Sequence, residues 1–155
     1  MAIAQQFYQT INYTKLNSWA HEPTRGSVDA AGYDLYADAE QQDHITLLPG
    51  EVKKISTGIA IMLPEGTFGA IYARSGMATK RGLVPANKVG VIDSDYRGPV
   101  IVALKNESNE VQVIEHGERI AQLVVQPYIP VIFNEVNNIG TTARGDGGFG
   151  SSGNK

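Results

Sequence analysis

Short runs of β-branched residues, cut apart by glycine and proline, constrain this chain more than any other feature. Val52, Ile55, Ile59 and Ile61 make one such run, Val100, Ile101 and Val102 another, and Val124 and Val125 a third. Branched side chains lose rotamer freedom in helices and pack well on a pleated surface. Pro49-Gly50, Pro64-Glu65-Gly66 and His116-Gly117 supply the turns between runs. No segment holds a 3.6-residue apolar period for three turns, which argues against a helical fold. The pattern predicts strands over residues 7–16, 33–39, 44–48, 52–63, 67–74, 89–92, 99–105, 111–115, 119–125 and 131–136. The one expected helix is a short piece near 75–80. Many short strands without helical crossovers mean an all-β, antiparallel sandwich or jelly roll.

The 155 residues suit one domain around one core, and 42% apolar against 19% charged residues is an ordinary globular balance. After Val136 the pattern fails: a polar stretch leads into a glycine-rich terminus too poor in apolar residues for a core of its own. The expected division is a single β domain over 1–136 and an arm over 137–155, either frayed or recruited to a ligand. A net charge of −3 (13 Lys and Arg against 16 acids) argues against a general nucleic-acid binder, which needs a basic face. The absence of cysteine excludes disulfides, a thiolate nucleophile and a thiolate zinc site. No basic region followed by an apolar stretch opens the chain, and the longest apolar runs are too short to span a bilayer. The expectation is a soluble protein of a reducing compartment, cytoplasmic or, in a eukaryotic or viral host, nuclear. The sequons at Asn12 and Asn106 are read as chance matches.

Five constellations carry candidate chemistry. Arg144, Gly145, Asp146, Gly147, Phe149, Gly150, Ser151 and Ser152 combine a cation, an aromatic ring, two hydroxyls and open backbone amides. Such a strip suits a lid over a nucleotide, phosphate held by Arg144 and the serines and a base stacked on Phe149. Its formal G-x-G-x-x-G lacks the following helix a dinucleotide fold needs, and its Arg-Gly-Asp is a weak three-residue match to an integrin ligand. Arg74, Ser75 and Gly76 end a strand with a charged fork, a hydroxyl and open amides, fit for phosphate. Asp93 follows a β-branched run at a strand end, placed as a general base for water, with Tyr96 as a flat surface for sugar or base. Asp95 and Gly98 in the same segment are turn formers. Asp34 and Gln122 are each a polar residue inside an apolar strand, serving either a satisfied core hydrogen bond or a ligand. His21, His44 and His116 have no ligand spacing. Any metal is therefore a hard ion held by substrate oxygens rather than protein side chains, which suits Mg²⁺ with a triphosphate.

In their order and spacing, the segments 31–36, 74–78, 90–98, 117–123 and 144–153 resemble the five motifs of the trimeric dUTPase family, a likeness covering residues 21–153. Met77 stands where leucine is commoner, a volume-conserving change. The resemblance implies a jelly-roll-like homotrimer whose three sites lie at subunit interfaces, the 137–155 arm completing a neighbour's site. It implies Mg²⁺-dependent hydrolysis of dUTP to dUMP and pyrophosphate, which limits uracil in DNA and supplies dUMP for thymidylate synthesis. By position, Asp93 activates the water that attacks the α-phosphorus, assisted by Arg74 and Gln122. Ser75 and Gly76 contact phosphates, and Arg144, Ser151 and Ser152 clamp the γ end. Tyr96 packs under the deoxyribose, while Asn87, Gly90 and Val91 on a hairpin over 83–92 read uracil. Phe149 and Gly150 cap the base, and Asp34 supports Arg74 or a metal-bound water. Two rivals stay open: dCTP deaminase, whose family shows Arg-Ser-Ser where Arg74-Ser75-Gly76 stands, and a non-catalytic nucleotide- or protein-binding module.

Overall fold

A computed structural model describes residues 9–39 and 44–148. Twelve strands and one helix follow in order: β1 (Asn12–Lys15), β2 (Thr24–Arg25), β3 (Tyr33–Tyr36), β4 (His44–Leu47), β5 (Val52–Ser56), β6 (Ile59–Met62), β7 (Thr67–Tyr72), α1 (Ser75–Arg81), β8 (Leu83–Pro85), β9 (Gly90–Ile92), β10 (Ile101–Asn106), β11 (Gln112–Glu115) and β12 (Arg119–Pro127). Every pairing is antiparallel. A five-stranded sheet runs β2-β3-β12-β7-β9, a three-stranded sheet β5-β10-β8, and two ribbons pair β1 with β6 and β4 with β11. The fold is all-β and jelly-roll-like, as expected.

Alternation places the core. In β10, Val102, Leu104 and Asn106 point inward while Ile101, Ala103 and Lys105 are less buried, the period-2 signature of a sheet with one covered face. Leu35, Leu47, Ile55, Ile59, Leu104, Ile114 and Ile120, drawn from all four sheets, meet in one cluster. Burying each contributes about 2 kcal/mol. Asn106 is fully buried and fully occupied: its amide nitrogen donates to Leu47 O (3.1 Å) and Glu110 O (2.7 Å), and its Oδ1 accepts from the Ser108 amide at 3.0 Å. It ties β10 to β4 and the turn after it.

Two expected strands are corrected. The run 52–63 is not continuous: β5 pairs with β10 and β6 with β1, in different sheets. The break falls at Gly58, whose φ of +68° favours glycine and whose added Cβ would sit 2.7 Å from Ala20 Cβ. Thr57, buried there, donates its hydroxyl to Val100 O at 2.8 Å. Residues 131–136 form no strand. Their composition is right, but a strand needs a ladder partner, and among the described residues none pairs with them. The two-residue β2 went unforeseen, and residues 83–92 are not the expected hairpin, because β8 pairs with β10 and β9 with β7 in different sheets. Among the described residues, no helix is long and apolar enough to cross a membrane.

Candidate active site

One row of the five-stranded sheet gathers polar side chains. Thr24, Asp34, Gln122 and Tyr72 are register partners across β2, β3, β12 and β7, so their side chains share one face. Leu35, Ala121 and Leu123 alternate into the core behind them. The two polar residues inside apolar strands thus belong to one cluster on one sheet face. Gln122 donates to Ala73 O at 2.9 Å and lies against Gly32, where a Cβ would come within 3.2 Å of Gln122 Cδ.

Asp34, with its side chain only 13% exposed, accepts from Arg74 Nε at 2.7 Å through one oxygen and from Arg119 Nη1 at 3.3 Å through the other. Arg74 Nη1 also donates to Arg119 O at 3.3 Å. Two guanidiniums around one carboxylate leave a net charge of about +1 on an open surface, the balance an anionic ligand requires. A β-bulge between Arg119 and Ala121 shifts the register there, and a bulge re-aims the side chain beside it. Arg119 is the residue that sequence reasoning missed. It stood inside the fourth motif, and no local pattern says that the strand's first residue reaches across to β3.

Arg74 is also the N-cap residue of α1, with extended backbone (φ −83°, ψ 135°) and no side-chain cap, and Ser75 and Gly76 open the helix on the surface. Lys80 and Arg81 sit in the last turn, favourable to the helix dipole, and Gly82 closes the helix in the left-handed region.

The second cluster is a groove beside the loop that joins β8 to β9. Asn87, Gly90, Val91, Asp93 and Tyr96 line one cleft of about 200 Å³. A cleft of about 240 Å³ continues from it, sharing Ile71, Asn87, Gly90 and Ile101 and ending at Lys54. Gly90 is a buried close approach: a Cβ there would lie 3.1 Å from Ile71 Cβ and 3.5 Å from Asn87 Nδ2. The groove's one phenol, Tyr96, is 44% exposed and lies against Gly98, where a Cβ would sit 2.6 Å from Tyr96 Cζ. Its hydroxyl donates to Pro99 O at 3.1 Å. Asp93, exposed just after β9, accepts the Tyr96 amide with its backbone oxygen at 3.1 Å. Among the described residues its carboxylate takes no hydrogen bond, which leaves both oxygens for a proton.

The arginine cluster and the groove sit on opposite faces of β7: Tyr72 shares a face with its register partner Gln122, whereas Ile71, pointing the other way, lines both clefts. Arg144 is exposed and donates Nε to Gly147 O at 2.9 Å within its own turn. Phe149, Gly150, Ser151 and Ser152 lie outside the described residues. Among the described residues no three His, Asp or Glu side chains converge to hold a metal ion.

A dUTPase family model matches residues 18–153, which takes in both clusters and the arm. The chain belongs to the dUTPase family. It is 45% identical over 144 residues to a deoxyuridine 5'-triphosphate nucleotidohydrolase of Desulfitobacterium hafniense, covering 92% of this chain and 94% of that one. The dUTPase of Staphylococcus bacteriophage 80alpha, solved with dUpNHpp, superposes with a TM-score of 0.83 at 30% identity, over 94% of this chain and 99% of that one. The dUTPase of Staphylococcus aureus phage phi11, described as coordinating a structural Mg(II) ion, superposes with a TM-score of 0.74 at 26% identity, over 86% and 100%. Within the dUTPase family, the polar row and the groove are the features whose chemistry has to be explained.

Proposed function

We propose that this dUTPase-family chain hydrolyses dUTP to dUMP and pyrophosphate, as a cytoplasmic homotrimer with Mg²⁺. The observation that carries the reading is the groove: an unencumbered carboxylate, an exposed aromatic ring and the Asn87–Val91 backbone side by side, in a family named for dUTP. Asn87 and the backbone at Gly90 and Val91 read the polar edge of uracil. A buried donor or acceptor left unpaired by the wrong base is the strongest means a small pocket has of refusing it. Tyr96 packs under the deoxyribose and fills the space a 2′-hydroxyl needs.

Asp93 takes a proton from water as its oxygen bonds to the α-phosphorus. The bond from that phosphorus to the bridging oxygen breaks, and pyrophosphate leaves. Such a transfer needs positioning and neutralisation more than covalent help. Arg74, oriented by Asp34, supplies cationic donors beside Ser75, Gly76 and Gln122, and Arg144, Ser151 and Ser152 hold the γ end as Phe149 and Gly150 cover the base. Three phosphates offer the hard oxygens that Mg²⁺ prefers, so a side-chain cage is not needed and the residues present fit the ion. Bound Mg²⁺ neutralises charge across the phosphates. The separation of the arginine cluster from the groove on one chain supports a site assembled between subunits, with a third chain's 137–155 arm as its cover.

Pyrophosphate release from dUTP, dTTP, dCTP and UTP, each with Mg²⁺ and with EDTA, tests the reading. Turnover of dUTP alone, abolished by EDTA, is the expected result. Turnover of all four discards the Asn87–Val91 and Tyr96 assignments, and ammonia from dCTP revives deamination. Binding of dUTP without turnover shifts the function to a nucleotide-binding module. Gly98→Ala tests the sugar contact, because the new methyl displaces the ring. Its preference for dUTP over UTP in kcat/KM is expected to fall about tenfold. An unchanged ratio removes Tyr96 from sugar choice.

A further inference from the structure

A seven-residue helix has almost no stability of its own, so the pose of α1 must be imposed from outside. Met77 is its only buried residue, and one side chain cannot fix both ends. The far end is held by Arg81, which uses every nitrogen of its guanidinium. Nε donates to Gln112 Oε1 at 2.9 Å, Nη1 to Glu118 Oε1 and Nη2 to Val113 O. Glu118 is itself fixed, its other oxygen accepting from the Glu115 amide at 3.1 Å. The next residue, Arg119, takes the near end: its carbonyl accepts from Arg74, and its guanidinium shares Asp34 with Arg74. Two consecutive residues, Glu118 at the end of the β11–β12 turn and Arg119 at the start of β12, therefore grip opposite ends of the helix.

We propose that Arg81 and Glu118 are positioning residues, a brace that sets Arg74 and Ser75 against Gln122 for the triphosphate. The inference rests on the dUTP reading and extends it to residues that touch no substrate. The Arg81 and Glu118 side chains are 29% and 25% exposed, so solvent screens part of what the pair contributes to stability. Geometry, in contrast, is costly to lose: a small displacement of a binding group lowers function by up to about a hundredfold. Arg81→Ala thus acts on the phosphate grip more than on folding.

Binding of dUpNHpp and of deoxyuridine, which lacks phosphates, is measured on wild type and variants beside dUTP kinetics and melting. Arg81→Ala is expected to weaken dUpNHpp about tenfold and raise KM for dUTP in parallel, with kcat within about threefold. Deoxyuridine affinity stays unchanged, and Arg81→Lys, which keeps the pairing with Glu118 alone, falls between. Should Arg81→Ala not fold, Glu118→Gln reads the same contrast, since its amide oxygen can still accept from Glu115. Equal losses for both ligands, or a lower melting temperature with dUpNHpp affinity intact, overturn the brace. A wild type that fails to bind dUpNHpp overturns the triphosphate reading itself, and the brace's purpose with it.

Discussion

Asp93→Asn is expected to lower dUTP turnover by a factor on the order of 10³, the usual worth of a positioned general base, while dUpNHpp affinity stays within about twofold. Asparagine keeps the shape of the side chain and removes its basicity. Nothing else near it depends on the carboxylate: Asp93 is exposed, its backbone oxygen alone holds Tyr96, and its side chain takes no hydrogen bond among the described residues. Folding and groove shape are therefore preserved, and the loss must appear in kcat. Pyrophosphate release and calorimetric titration with dUpNHpp check the two halves. A variant near wild-type activity would remove Asp93 as the base.

Removing residues 143–155 is expected to leave a folded trimer, melting within a few degrees of the full chain, with turnover down about a hundredfold. The core cluster takes no residue beyond Val125. Residues 143–146 and 148 are exposed, and the bonds of this stretch are local: Gly145 to Thr142 and Arg144 to Gly147. Truncation is tolerated where the lost backbone holds nothing else in place. Activity is another matter, because the segment carries Arg144, and a cover that closes over a polyphosphate excludes competing water. Size-exclusion mass, a melting curve and kcat check the three clauses. Dissociation into monomers would make the arm an assembly element instead.

The β class was legible because β-branched runs cut by glycine and proline are local features of the chain, as at Val100, Ile101 and Val102. The short helix expected near 75–80 is α1, one residue longer at its end. What was hidden depends on partners far away in sequence. Nothing around Thr57-Gly58 says that β5 and β6 join different sheets, because that choice is made by Val100 and Ala20. Asp34 and Gln122 looked like isolated anomalies, and only the register that makes them neighbours turns them into one cluster. Arg119 and Arg81 were invisible for the same reason, since their partners lie on β3, on β11 and in the β11–β12 turn. Residues 131–136 failed in the opposite way: a sound local pattern lacked the second strand that would have made it real.

That strip has a cost before any partner arrives. Ile132 and Phe133 are each 96% exposed, and Ile129, Val131 and Val136 are also uncovered. A six-residue window of high β-propensity, with no proline inside and open backbone groups, is the composition that templates fibrils. Two residues temper it. Pro130 denies the window a donor at its entrance, and Glu135 sets a charge near its exit, both of which discourage edge-to-edge stacking. A newly made chain therefore emerges from the ribosome with a sticky flank and its gatekeepers already in place. In a crowded cell, or in an overproducing culture, recovery of the protein depends on how fast that flank is covered relative to how often two such flanks collide.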